Sequence, residues 1–163
     1  MTRTTAREIA MHCSFSHGFL KRTVDEILTE RLSQETFEAW KDEDEIYSEF
    51  PDKSYRSYIE ALVRGVGEHG PELDQYIGKY AVNWKFERIP RTATAIMRVA
   101  MYEILYMPDI PNGAAINEAV EIAKKYEEPK TVAFLNGILG SFVRAEFAED
   151  DVQGAQASEP NEP

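Results

Sequence analysis

The first fifteen residues mix cationic side chains with an aromatic one in a way that suits nucleic acid. Arg3, Arg7 and His12 are the candidate cations, and Phe15 is the candidate aromatic residue. Cations hold phosphates, and an exposed aromatic ring stacks a nucleobase with about 1–3 kcal/mol. Single-stranded RNA is read largely in this way. The alternative is that Phe15 belongs to the core and that both arginines are solvated residues at a helix start.

A second group of polar residues lies within residues 114–142, inside segments with helical spacing. Asn117 and Glu118 come early in one predicted helix, and Asn136 with the glycine after it interrupts the apolar stripe of the next. Packing alone does not favour such residues at these positions. Together with Phe134 they indicate a surface presented to a partner. A helix–helix hydrogen bond from Asn136 and simple packing of Phe134 are the alternatives.

Residues 65–70 match the letters G-x-G-x-x-G of a dinucleotide-binding loop. That motif needs a strand before it and a helix that begins within it. Here residues 58–66 have helical spacing, and Pro71 removes one of the backbone amides. These features favour glycines at the end of a helix, so we predict no cofactor.

Cys13 and His17 have the i,i+4 spacing that lets two side chains share a metal ion. The other histidines, His12 and His69, do not complete a ligand set. We therefore predict a buried thiol, a surface imidazole and no metal site. The sequence contains no hydrolase elbow, P-loop or metalloprotease helix, and it offers no catalytic constellation.

Composition and charge narrow the class of protein. The chain has 163 residues, 43% hydrophobic and 29% charged, as in a soluble globular protein. Its single cysteine fits a reducing compartment. No apolar run reaches the ~18 residues of a membrane span, and the N-terminus lacks the apolar core of a signal peptide. We expect a cytoplasmic protein without a membrane partner.

The net charge of −11 is unevenly distributed. Residues 146–163 hold six acids and no Lys or Arg. Residues 1–24 hold four basic side chains against one acid, a local charge of +3, and residues 79–98 hold five against one, a local charge of +4. Because salt screens charges beyond about 8–10 Å, the acidic total argues against indiscriminate nucleic-acid binding and leaves room for a confined basic face.

Helical spacing dominates the chain, and alternating strand patterns are scarce. Glycine and proline signals mark several helix ends and starts. The sequence predicts an all-α protein of about seven helices. These begin near Thr4 or Thr5, Thr23, Ser54, Pro71, Thr92, Pro111 and Pro129, and residues 33–53 hold scattered aromatics and a short helix. Residues 148–163, rich in Asp, Gly, Gln, Ser and Pro, are predicted to be a disordered acidic tail.

Several short segments occur in an order that resembles a known family. They are residues 6–8 (ARE), 65–66 (GV), 72–74 (ELD), Trp84, 96–100 (IMRVA), 102–103 (YE), 109–111 (DIP), 115–119 (AINEA), 123–124 (AK) and 134–139 (FLNGIL). This pattern closely resembles the NusB family of bacterial transcription antitermination factors. The likeness covers about residues 5–142, and its most specific parts are AINEA and the F-x-N-G element.

The resemblance implies an all-helical fold over residues 1–147, in two small packed bundles of about 1–82 and 83–147. It implies no enzymatic activity and no cofactor. NusB proteins pair with NusE, a small-subunit ribosomal protein, and the pair binds boxA, a single-stranded element of ribosomal RNA transcripts. With other Nus factors on RNA polymerase, the complex suppresses premature termination and assists rRNA maturation.

The resemblance also assigns site residues. The RNA-binding residues that it implies are Arg3, Arg7, His12, Phe15, Phe134 and Asn136. NusE docking is implied around the start of the fifth predicted helix and the turn near residue 130, at Arg91, Ala93 and Lys130. We expect Arg7→Ala to weaken RNA binding and to leave stability within about 0.5 kcal/mol.

Two departures from the family pattern bear on function. Many relatives carry a run of arginines where this chain has Thr4 and Thr5, so we expect weaker RNA binding and greater reliance on NusE. Relatives usually place an acid where Ala93 stands, and often at the position of Lys130. The residues at these two positions, Ala93 and Lys130, bear on the expected contacts with NusE.

Three interpretations follow. The first is the antitermination adaptor. The second is a protein–protein interaction module that kept the fold and lost most RNA binding. The third, the RNA-binding domain of an rRNA methyltransferase, is disfavoured because the chain has no room for a catalytic domain of ~200 residues. Monomer and homodimer both remain open, and a dimer could hide the RNA-binding face.

Overall fold

The computed structural model describes residues 1–147, and the regular structure within them is helical throughout. The α-helices are α1 (Arg3–Leu20), α2 (Val24–Arg31), α3 (Gln34–Trp40), α4 (Lys53–Glu68), α5 (Gly70–Tyr80), α6 (Arg91–Tyr106), α7 (Asn112–Tyr126) and α8 (Pro129–Glu146). Short 3-10 turns occupy Glu45–Tyr47 and Phe86–Arg88. The predicted all-α class is confirmed, and α3 is the short helix expected within residues 33–53.

The chain divides into two compact units, Met1–His69 and the part from Gly70 onward. This division lies earlier than the predicted boundary near residue 82, because α5 packs against α6 and α8. Arg98 of α6 forms a bidentate ion pair with Asp74 of α5, with N···O distances of 2.7 and 2.8 Å. The predicted tail, residues 148–163, lies outside the described residues.

In the first unit, α1 packs against α2 and α4. Its cap is Thr2 and not Thr4 or Thr5, because the Thr2 hydroxyl accepts a hydrogen bond from the Thr5 backbone N–H at 3.1 Å. The helix ends at Leu20, because the next residue, Lys21, has a φ of 54° and cannot continue it. Fully buried aliphatic side chains from three helices form the core: Ile9, Ile27, Ile59 and Leu62.

Helices α2 and α4 approach each other closely at Gly67. A Cβ atom at this position would lie 2.9 Å from Cγ2 of Val24. Because valine is stiff about its first side-chain torsion, it cannot easily move away. The hydrogen side chain of Gly67 therefore permits the contact.

The second unit consists of α5 to α8. Pro129 begins α8 at a position where a proline costs no helix hydrogen bond. The buried side of α8 carries Leu135, Leu139 and Phe142, all fully buried. The Phe142 ring meets the edge of Tyr76 from α5, with 4.9 Å between ring centroids. This apolar stripe agrees with the core face predicted for the last helix.

The two motifs that resembled cofactor and metal sites lie on helices in the structure. Residues 65–70 span the last turn of α4 and the first residue of α5, so a helix and not a strand precedes the glycines. Cys13 is fully buried, and burial raises the pKa of its thiol from 9.0 to about 12.

Among residues 1–147, no helix has both the length and the apolar character that crossing a membrane requires.

Candidate nucleic-acid interface

The start of α1 presents one exposed cation on an aromatic support. The Arg3 side chain is exposed, and its guanidinium carbon lies 4.6 Å from the centroid of the Tyr58 ring of α4. A guanidinium over a ring face is attracted by the ring quadrupole and keeps N–H groups for a phosphate. Tyr58 was not predicted as part of the site, because a contact between two helices leaves no signal in local spacing.

Arg7 differs from the expectation of an accessible cation. Only 6% of the residue is exposed, and its guanidinium carbon lies 6.0 Å from the Tyr58 centroid. It shares the inward side of α1 with Ala6 and Ile9, which are fully buried. Most of this side chain is therefore enclosed, which argues against the expectation that Arg7→Ala leaves stability within about 0.5 kcal/mol.

His12 is half-buried and engaged with a neighbouring segment. Its Nδ1 atom lies 3.0 Å from the hydroxyl of Tyr47, with which it shares a hydrogen bond. Burial raises the pKa of that tyrosine, which follows α1 by a long stretch of sequence. The imidazole thus has a partner within the first unit, at a position where the resemblance implied a contact with RNA.

Phe15 forms an aromatic pair with Phe19 near the end of α1. The two rings are stacked, with centroids 6.0 Å apart and an angle of 9° between their planes. Phe15 is half-buried, whereas Phe19 is 55% exposed and Leu20 is 48% exposed. The i,i+4 spacing of the two phenylalanines is the sequence signal that points to Phe19 as well as to Phe15.

Phe134, on α8, stacks on Trp84, which lies between α5 and α6. The ring centroids are 4.2 Å apart and the planes are inclined by 23°. The ammonium nitrogen of Lys130 lies 5.9 Å from the Trp84 ring. We call Trp84, Lys130 and Phe134 the Trp84 cluster. It brings together a residue predicted for RNA, one predicted for NusE, and a tryptophan to which no role was assigned.

Asn136 lies on a different side of α8 from Phe134. Two residues correspond to about 200° around an α-helix, so one cannot face the same surface as the other. Asn136 lines a groove of about 580 Å³ between α7 and α8, together with Asn117 and Lys124. Phe134 is not among the lining residues. The structure therefore separates the two residues of the F-x-N-G element.

The predicted NusE contacts are only partly at the surface. Arg91 is exposed at the start of α6, and Lys130 is exposed at the start of α8. Ala93 is fully buried, because it belongs to the inward side of α6 with Ile96 and Met97. Its side chain therefore cannot contact a partner, and this part of the prediction is corrected.

The helices and the cationic and aromatic surfaces describe an all-helical protein with two compact units and candidate contacts for RNA. Comparison with known proteins then gives the family. The model of the NusB family matches residues 4–144. The chain belongs to the NusB family.

Relatives match over most of their length. The transcription antitermination protein NusB of Thermoanaerobacter sp. (strain X514) is 39% identical over 150 residues, which cover 92% of this chain and 96% of the relative. The protein of the same name from Bacillus subtilis (strain 168) is 36% identical over 141 residues, which cover 86% and 94% of the two chains.

Solved structures agree with the fold. NusB of T. maritima superposes with a TM-score of 0.73 at 30% identity, covering 88% of this chain and 92% of that one. A NusB chain from a crystal structure of antitermination factors NusB and NusE in complex with dsRNA gives a TM-score of 0.72 at 21% identity, covering 88% and 96%. At that identity the likeness establishes the fold alone.

Proposed function

We propose that this protein is a transcription antitermination factor that binds single-stranded boxA RNA of rRNA transcripts together with NusE. In this role it helps to load the antitermination complex, with other Nus factors, on RNA polymerase. The observation that carries the proposal is the match to transcription antitermination proteins over 92% of the chain. In this role the protein acts as an adaptor in the cytoplasm. The role requires binding surfaces and no catalytic activity.

Two surfaces are suited to the RNA. On the first unit, Arg3 offers donors to a phosphate, and the ring pair of Phe15 and Phe19 offers an apolar face for a base. On the second unit, the stacked rings of Trp84 and Phe134 offer a second apolar face for a base. Phosphate contacts and base stacking are the two interactions that dominate recognition of single strands.

The electrostatics favour a weak RNA-binding protein that depends on a partner. Thr4 and Thr5 replace cations that many relatives carry, and Arg7 is buried. Arg3 is therefore the exposed arginine of the first two turns of α1. Because each phosphate contact adds to affinity, few contacts leave a large share of the binding to NusE and to cooperation within the complex.

For NusE we propose docking near the start of α6, at Arg91, and near the start of α8, at Lys130. Both side chains are exposed. A solved complex in which a NusB chain of the same fold occurs with NusE supports this partner. Ala93 lies inside the second unit, so Arg91, which is exposed two residues before it, would form the contact in its place.

Anisotropy titrations of a labelled boxA-like strand, with and without NusE, test the proposal. We expect the boxA-like strand to bind more tightly than a scrambled strand, and NusE to tighten the binding further. Arg3→Ala should weaken it, whereas the control Lys53→Ala, which removes an exposed cation at the start of α4, should not. Equal binding of both strands, unchanged by NusE, would contradict an antitermination role.

The burial of Arg7 favours a second candidate, an interaction module that kept the fold and lost most RNA binding. Enclosing that side chain removes one of two arginines available to phosphates at the start of α1. In this case NusE binds the protein with normal affinity, and the anisotropy of every labelled RNA strand stays unchanged as protein is added. The same titration, followed by a direct measurement of NusE binding, separates the two candidates.

A further inference from the structure

Three metal-ligating side chains of the first unit converge at one place. Glu8 and His12 lie one turn apart on α1, and Asp44 comes from the segment just before the 3-10 turn of Glu45–Tyr47. One ligand atom from each residue lies within 4.8 Å of the other two. The i,i+4 spacing of Glu8 and His12 is visible in the sequence, but the approach of Asp44 depends on the fold. For that reason the sequence predicted no metal site.

Neighbouring groups orient two of these ligands. The Tyr47 hydroxyl shares a hydrogen bond with Nδ1 of His12 at 3.0 Å, which holds the ring in place. Asp44 accepts a hydrogen bond from the Ile46 backbone N–H at 3.1 Å through Oδ1, which leaves Oδ2 for a second contact. Partners of this kind hold the ligands of metal sites in place.

The charge of the group also suits a divalent cation. Glu8 is 4% exposed, and Asp44 is half-buried. A divalent cation placed between two carboxylates that are shielded from water meets two groups of opposite charge.

We propose that Glu8, His12 and Asp44 bind one divalent first-row transition ion, for which Zn²⁺ is the probe. An imidazole nitrogen and two carboxylate oxygens are ligands that Zn²⁺ accepts, and three protein ligands leave a position for water. The ion joins α1 to the acidic segment that precedes the 3-10 turn. It therefore stabilises the first unit by mass action, and it occupies His12 with a metal instead of RNA.

The competing arrangement is a chain of hydrogen bonds among the carboxylates, His12 and Tyr47 without an ion. The two differ in what Asp44 must supply. A metal requires a charged oxygen, whereas a hydrogen-bonded chain tolerates an amide in its place. Asp44→Asn keeps an oxygen for the Ile46 N–H and removes only the charge, so it separates the alternatives.

The experiment uses the full chain, without a histidine tag, freed of metal by a chelator and then dialysed against Zn²⁺. We expect one ion per chain, a rise in melting temperature, and a shift of the His12 ring resonances in NMR spectra. Asp44→Asn and His12→Gln should each weaken the binding at least about tenfold. The matched controls Asp42→Asn and His17→Gln, in the same two segments, should bind Zn²⁺ like the unmodified chain.

Several results would overturn the proposal. They are the absence of stoichiometric Zn²⁺ binding, equal binding by the ligand variants and the unmodified chain, and loss of binding in the controls. If a ligand variant does not fold, the NMR titration of the unmodified chain still decides. Zn²⁺ that binds without moving the His12 resonances lies at another site. RNA titrations do not enter this test, so its failure leaves the antitermination role untouched.

Discussion

Two arginines four residues apart on α1 have different roles. Arg3 is exposed and rests on Tyr58, whereas Arg7 is enclosed at 6% exposure. An exposed guanidinium has N–H donors that a phosphate can reach, but an enclosed one is already committed to contacts within the protein. Spacing alone makes the two residues equivalent, and burial separates them.

This difference predicts opposite effects of alanine substitutions. Arg7→Ala should lower the free energy of unfolding by about 1–3 kcal/mol, because it removes the packing of a side chain that is only 6% exposed. Arg3→Ala should change it by no more than about 0.5 kcal/mol. Urea denaturation followed by circular dichroism measures both. Equal stabilities of the two variants would show that Arg7 contributes nothing by being enclosed.

Cys13 gives a prediction on pH. Burial raises its pKa from 9.0 to about 12 in the folded protein, so the thiol loses its proton more readily in the unfolded chain than in the folded one. The stability contributed by the neutral thiol is therefore complete below pH 9.0 and is lost as the pH rises towards 12. The slope attributable to this thiol is at most about 1.4 kcal/mol per pH unit.

Comparison with Cys13→Ala isolates that slope, since the other titrating groups are common to both proteins. Urea unfolding at a series of alkaline pH values should show the difference in stability between the two proteins narrowing as the pH rises. A difference that stays constant between pH 9.0 and 12 would mean that the thiol ionises equally well in the folded chain.

At the level of elements, two glycines in helices have opposite surroundings. Gly67 of α4 lies against Val24 of α2, where a Cβ would approach Cγ2 to 2.9 Å, whereas a Cβ on Gly78 of α5 meets nothing within 4 Å. Alanine favours a helix over glycine by about 1 kcal/mol. At Gly78 nothing opposes that gain. At Gly67 overpacking opposes it and costs about 1–3 kcal/mol.

We therefore expect Gly78→Ala to raise the melting temperature and Gly67→Ala to lower it or leave it unchanged. Differential scanning calorimetry measures both. The double change Gly67→Ala with Val24→Ala tests the cause, because it removes the methyl group that the new Cβ meets. In the Val24→Ala background, Gly67→Ala should become as favourable as Gly78→Ala. A penalty that persists there would assign it to another contact.

Local sequence signals predict well where helices begin, but they predict poorly which helices and side chains pack together. Pro129 and Thr23 marked the starts of α8 and α2, because a helix-starting proline and a capping threonine act within one turn. The burial of Ala93, the stacking of Trp84 on Phe134 and the membership of α5 in the second unit depend on contacts between helices. Nothing in the local sequence encodes such contacts.

The same contrast between local signals and packing applies to the candidate site. Arg3 and Phe15 were predicted as candidates because cations and aromatics in one helix can be seen along the chain. Asn136 was expected beside Phe134 because the two are near in sequence, although α8 turns them to different sides. The family resemblance supplied the residue types of the site, and the packing of the helices decided which of them reach a common surface.

For the molecule as a whole, the distribution of charge determines how the protein interacts with RNA. The chain carries −11 overall, while residues 1–24 carry +3 and residues 79–98 carry +4. At low salt the acidic remainder repels RNA over long distances, and at physiological salt screening confines the field to about 8 Å. Binding thus rests on a few local contacts and less on attraction by the molecule as a whole.

Few phosphate contacts predict a shallow dependence of RNA affinity on salt. For single strands, the logarithm of the affinity falls with the logarithm of the salt concentration by about 0.7 per phosphate neutralised. Arg3→Ala should therefore reduce the slope by about 0.7, and the control Lys53→Ala should leave it unchanged. NusE should steepen it, because its own contacts with the strand are added. A slope that Arg3→Ala does not alter would place the phosphate contacts away from the start of α1, and the Trp84 cluster would then be the surface to vary.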